Sequence, residues 1–230
     1  MIKSHAPTSK PPRRRGPALK DMGLLSLPDR FKTPTADRER LQEISHLMFA
    51  REEEPPHVLH VARIALDLFD QTRALHGLGE RERFWLLCGC LLHDIGWSVS
   101  ADGSKHHKLS QMLIVNHEWN GLAPEEIALI GNVARYHRKA LPKESHEPYA
   151  VLGKKHREIV GKLAAYLRLG DALDRTHLQR VVSVEIRDND PYLVLNFTAT
   201  ASAEEEIGAV EKKKDLFERV FGRFVVCAQK

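Results

Sequence analysis

Cysteine is scarce in this chain: Cys88, Cys90 and Cys227 are the only three among 230 residues. Three thiols cannot form a full disulfide framework, so folding has to rest on a core. Cys88 and Cys90 lie two apart in an expected helix and face different sides, which disfavours joint metal binding. They read as reduced, buried thiols of a cytoplasmic protein. No apolar stretch approaches the roughly 18 residues of a membrane span. The N-terminal region also lacks the apolar core of a signal peptide, so no membrane role or export is expected. A Gly-rich phosphate loop, internal repeats and a Ser or Cys placed for nucleophilic attack are missing too, which removes several familiar routes to phosphate chemistry.

Hydrophobic residues make up 42% of the chain and charged residues 29%, enough for one real core with a small companion unit. The formal charge of +4 is unevenly spread. Residues 1–34 hold eight Lys/Arg against Asp21 and Asp29, a balance of +6, which leaves −2 for the remainder. Rich in Pro, Ser, Thr, Lys and Arg, this stretch reads as a disordered basic tail. It is solvated in the simplest reading, and nucleic-acid binding is not expected.

Beyond the tail the apolar spacing is helical. Leu41, Ile44, Leu47 and Met48 open the series. Pro55-Pro56 starts a second helix that runs to about His76, because proline is tolerated in a first turn. His57 shares its inner face with Val61, Ile64 and Leu68. A third helix is expected from Glu80 to Ile95, with Gly96 as its C-terminal cap. Helices from His106 to Asn116, from Pro124 towards Tyr136, and from Arg157 to Arg175 follow, with residues 140–155 as a loop. After residue 178 the period becomes two. Val182–Ile186 and Tyr192–Phe197 flank Asp188-Asn189-Asp190-Pro191, a hairpin signal. A last helix from Ala203 to Phe221 and a short strand near Phe224 complete the chain. The expected fold is mainly α: a helical bundle over 35–178 with a small C-terminal α+β appendage, a β-hairpin plus helix, over 179–230.

The end of the third helix concentrates the chemistry. In Leu91-Leu92-His93-Asp94-Ile95-Gly96, an imidazole and a carboxylate end an apolar run, and burial of either requires a partner. A metal ion is one such partner, and a hydrogen-bonded core His beside a capping Asp is the other reading. Asp94 would also sit against the negative end of its own helix dipole, a penalty of about 0.3–1 kcal/mol that a cation would remove. Further inward or helix-terminal ionisable residues are His57, one of His106 and His107, His137 and Asp171. Each alone has a structural explanation. Four His and two Asp in the order H, HD, H, H, D are harder to explain as separate core residues.

That order resembles the HD-domain superfamily of metal-dependent phosphohydrolases. A closer resemblance is to the C-terminal region of the exopolyphosphatase/guanosine pentaphosphate phosphohydrolase (Ppx/GppA) family. It rests on His57-x-x-x-Val61-Ala62, the His93-Asp94 segment, His106-His107-Lys108-x-Ser110 and Ala134-Arg135-Tyr136-His137-Arg138-Lys139. It continues through Leu167-Arg168-Leu169-x-Asp171-Ala172-Leu173-Asp174-Arg175 and Glu211-Lys212-Lys213-x-Asp215-Leu216-Phe217. It does not extend to the actin-like half credited with polyphosphate hydrolysis in that family, so this activity is not carried over.

The resemblance implies one or two divalent ions, with manganese, magnesium, iron, nickel and cobalt all compatible. His57, His93, Asp94 and Asp171 would hold one; His106 and His137 would hold a second, with Asp94 bridging. His106 is preferred to His107 because this His precedes a small residue by four positions in HD proteins, here Ser110. His93 and Asp94 would be catalytic through metal-activated water. Arg138, Lys139, Arg168 and Arg175 could bind substrate phosphate, unless they serve as surface charges or, for the last two, pair with Asp171 or Asp174. The implied activity is hydrolysis of a phosphate-containing small molecule, a nucleotide foremost. The alternative is a non-catalytic regulatory module that binds a nucleotide such as an alarmone, polyphosphate or a protein partner. The appended hairpin and helix could offer a homodimer surface.

Overall fold

In the computed structural model, Leu27 and residues 31–230 are described. The expectation of a disordered tail over 1–34 therefore falls largely outside the described residues. Where it can be followed, Leu27 and Phe31 are buried, so the packed body takes in side chains that precede residue 35.

The fold is mainly α with a small three-stranded sheet near the C-terminus. After a 3-10 turn at Thr35–Asp37, α1 spans Arg38–Arg51 and α2 spans Pro55–Gln71. A further helical turn, Arg73–His76, is closed by Gly77 in the left-handed region. α3 spans Glu80–Leu92 and is buried at every residue from Phe84 onward. Its run of apolar residues thus reflects a helix enclosed on all sides: it packs against α1, α2 and the later helices α5 (Pro124–Arg135) and α6 (Lys154–Ala172). α4, His106–Val115, rests on α5 and on the 3-10 segment Ile95–Val99. Among the described residues, no helix is long and apolar enough to cross a membrane.

The C-terminal unit is built onto this bundle. β1 (Val181–Asn189) pairs antiparallel with β2 (Tyr192–Ala199), and β3 (Phe224–Gln229) lies parallel to β2. A parallel neighbour requires a crossover, supplied by α7 (Glu204–Lys213) and α8 (Asp215–Phe221). Leu193, Leu195, Phe197 and Val225 are buried on one side of the sheet, as are Val210, Leu216 and Phe217 of the crossover. α2 attends to the outer edge of β1. Arg63 donates to Val181 O and Val182 O, while Gln71 donates to Val184 O and accepts from Ile186 N. An edge that would otherwise invite pairing is closed by side chains of the bundle. α7 and α8 pack on α6 in turn.

Several helix ends differ from the sequence expectation. α3 stops at Leu92, so His93 and Asp94 form a turn before the 3-10 segment. Gly96 is not a left-handed cap. It is required because a Cβ there would collide with His106 O and lie 2.5 Å from Ser110 N, and its N–H donates to Ser110 Oγ at 2.9 Å. The third helix therefore ends early, and Gly96 instead lets α4 dock. Residues 140–155 include a helical turn, Glu147–Ala150. α6 ends at Ala172, which leaves Arg175 in the following turn, and the last helix is divided at Lys214.

Replacing Gly96 with Ala forces α4 away from the turn that carries Asp94. We expect Gly96→Ala to cost about 3 kcal/mol, at the upper end of overpacking, and to lower the urea midpoint without altering helix content. A midpoint within error of the parent would refute the close-approach account.

Candidate metal centre

His93, His106 and His137 share one local device. Each sits at a helix end and donates Nδ1–H to a carbonyl three residues earlier: Cys90 O at 2.7 Å, Gly103 O at 2.8 Å and Ala134 O at 2.7 Å. A neutral imidazole with its proton on Nδ1 presents a lone pair at Nε2. His106 Nε2 and His137 Nε2 lie 3.3 Å apart, and Asp94 Oδ1 lies 3.2 and 3.6 Å from them. Acceptors thus face acceptors in a buried place. A cation resolves such an arrangement, and pinned imidazoles are how proteins orient metal ligands.

His57, His93 and Asp94 form a second group. His57 Nδ1 donates to Asp174 Oδ2 at 2.7 Å, and Asp174 is in turn fixed by Gln179 N at 2.8 Å and Gln179 Nε2 at 3.2 Å. This orients His57 Nε2 inward. His57 Nε2, His93 Nε2 and Asp94 Oδ1 are buried without a hydrogen-bond partner. Both triplets, His57–His93–Asp94 and Asp94–His106–His137, bring one ligand atom per residue to within 4.8 Å of one another, and all five residues are buried. They could hold metal ions, with Asp94 shared.

The charges follow from the burial. For Asp94, burial would raise the carboxyl pKa, but His93, His106 and His137 hold it well below the usual range. Asp171 is likewise opposed by burial yet held low by Lys213 and His57. Burial lowers His93 and, more strongly, His137, which favours the neutral ligand form. At His57 burial also opposes charge, but Asp171 and Asp174 outweigh it and raise the pKa to about 10.

The remaining expected residues divide. Asp171 Oδ1 stands 3.6 Å from His57 Nε2, and its Oδ2 is held by Lys213. It flanks the first triplet and belongs to neither. His107 is buried beside His106, with its ring 6.3 Å from that of His137 and its pKa pressed by burial to about 4; it too lies outside both triplets. Arg138 Nη1 is 3.3 Å from each ring nitrogen of His106. Lys139 adopts a left-handed conformation and donates to Ser104 O. Arg168, only 3% exposed, is committed to structure. It donates to Lys213 O, Tyr136 O, Lys139 O and Asp215 Oδ1, the last at 2.6 Å.

Three residues at the site carried no sequence expectation of a role there. Lys213 arrives from α7. His177 stacks on His57 with ring centroids 3.7 Å apart and bonds Glu54. Trp97 stacks on His106 at 4.4 Å. The Lys213 segment stands among the motifs that carry the family resemblance, which was the one available signal for it; His177 and Trp97 had none. Asp94, His106 and His137 open on a cleft of about 1150 Å³. Arg138, Lys139, Arg168, Arg175, Lys212 and Lys213 bring positive charge to its wall, while Asp102, Glu204, Glu205 and Asp215 make part of the lining acidic.

The family described as Ppx/GppA phosphatase, domain III, matches residues 40–214, well over half of the chain. The chain belongs to that family. The match runs through the hairpin and α7, so the family unit includes the segment that delivers Lys213. No curated protein matches the chain.

If both triplets bind ions, metal should stabilise the fold. Free metal at 100 times its Kd adds about 2.7 kcal/mol per site, so a chelator should lower the melting temperature by several degrees. Elemental analysis should find that Asp94→Asn affects both ions, whereas His57→Ala and His106→Ala each affect one. Equal metal content in Asp94→Asn and the parent would count against a shared ligand.

Proposed function

We propose that this Ppx/GppA domain III is a metal-dependent phosphohydrolase of the HD type, which cleaves a phosphate ester, foremost a nucleotide. The observation that carries this reading is the pair of buried triplets sharing Asp94, of which Asp94, His106 and His137 open on a cleft lined by both cationic and acidic side chains. In this reading His57, His93, Asp94 and Asp171 hold one divalent ion. His106 and His137, with Asp94 between, hold the other. Manganese, magnesium, iron, nickel and cobalt all suit mixed imidazole and carboxylate donors. Such ions supply an activated water and a charge clamp on the phosphoryl group.

The protein's own side chains then bind and orient. Arg138 stands beside His106, where a phosphoryl oxygen near the second triplet would meet its guanidinium. Lys139 and Arg175 add charge farther along the cleft wall. Arg168 also lines the cleft, and its guanidinium is held by the protein itself. Its donors tie the turn after α5, which carries His137, to the α7–α8 junction, so it braces the cleft wall that it also lines.

Phosphate release from nucleotides, alarmones, cyclic nucleotides and polyphosphate, measured with added manganese, tests the proposal. We expect turnover of at least one class, falling about 1000-fold or more in His93→Ala/Asp94→Ala, because both triplets are lost together. Arg138→Ala should raise KM about tenfold with a smaller effect on kcat, consistent with loss of a charge-assisted hydrogen bond. Metal binding without phosphate release from any of these compounds would replace the enzyme with a regulatory binding module.

A further inference from the structure

In the proposed ligand set, Asp171 has an oxygen claimed by another side chain of the protein. Lys213 Nζ donates to Asp171 Oδ2, while Oδ1 faces His57 Nε2 at 3.6 Å. Both partners are largely withdrawn from water, with side chains 14% and 19% exposed. An ion pair there is screened far less than one on the surface.

Lys213 reaches Asp171 from 42 residues away in sequence, and the surrounding contacts fix it from both sides. Its own carbonyl accepts from Arg168 Nε at 3.1 Å. Two residues on, Asp215 accepts from Arg168 Nη2 at 2.6 Å. Arg168 and Asp171 are three apart on α6 and so share a face. One guanidinium therefore grips the backbone at Lys213 and the side chain just beyond it, and the lysine ammonium falls on the carboxylate one turn further along α6. A lysine in the last turn of α7 also suits that helix's dipole. That effect would hold for exposed Lys212 equally and does not direct a side chain onto Asp171.

We infer that Lys213 is a positioning residue for the His57–His93–Asp94 triplet: by holding Oδ2 it fixes the Asp171 carboxylate with Oδ1 turned to that triplet. The C-terminal unit thereby becomes a working part of the metal site. This inference rests on the reading of the cluster as a metal site and not on any particular substrate. Outer partners of metal ligands typically account for about 10–100-fold in metal affinity.

The test is calorimetric titration of metal-stripped full-length protein with manganese, together with thermal unfolding of the stripped forms. The parent should bind two ions. Lys213→Met should bind one of them about 10–100-fold more weakly and the other unchanged, since Asp94, His106 and His137 are untouched. Lys213→Arg should recover most of the loss, and Lys212→Met should match the parent. Lys213→Gln, which retains a donor but no charge, serves in place of Lys213→Met if the latter does not fold. In an Asp171→Asn background, removal of the Lys213 charge should add nothing further. Unchanged affinity at both sites, equal weakening of both, or a further loss in that background would overturn the inference while leaving the metal-site reading intact. A parent that binds no ion would overturn both.

Discussion

Three imidazoles, each with its Nδ1–H held by a carbonyl three residues upstream, set the geometry on which the centre depends. His93, His106 and His137 can present only Nε2 lone pairs to one another and to Asp94. Lone pairs and a carboxylate facing each other out of water are costly unless a positive charge lies among them. Backbone carbonyls thus prepare an acceptor cage before any ligand arrives, and the hydrogen bonds that prepare it are local, each reaching back three residues.

The bundle assembles that cage from helix ends. His57 comes from the start of α2, His93 and Asp94 from just beyond α3, His106 from the start of α4, His137 from just beyond α5 and Asp171 from the last turn of α6. Bringing these ends together requires close helix contacts. Gly170 shows the need: a Cβ there would stand 3.0 Å from Val61 O, a tight contact that would press α6 and α2 apart by a few tenths of an ångström. Gly96 serves the same end between the Asp94 turn and α4. Burial of α3 on every side holds the frame still. The sheet is integrated in the same way, for α2 satisfies the edge of β1 and Arg168 anchors the α7–α8 junction.

Much of the fold could be read from periodicity. Spacings of three and four located every long helix, and the change to alternation located the hairpin. Helix ends were less legible. The glycine after His93-Asp94 resembles a cap in sequence, and only the carbonyl of His106 pressing on it reveals another role. The candidate site was legible as a list of residue types in order, and the fold brings five of those six side chains into two triplets. Asp171 stands beside them, its second oxygen already engaged. Arg168, three residues from Asp171, lines the cleft, but the partners that hold its guanidinium lie 29 to 47 positions away and left no trace in the local pattern.

By itself the sequence determined the helical character, the placement of His and Asp at helix ends, and the appended α+β unit, since these follow from short-range spacing and from hydrogen bonds within a turn. Tertiary structure alone decided that Asp171 stands beside the two triplets, that Lys213 reaches Asp171, and that Arg168 ties the turn after α5 to the α7–α8 junction. These depend on the angles at which helices pack and on partners far apart in the chain. No local pattern encodes such contacts, because their energy appears only when distant surfaces meet.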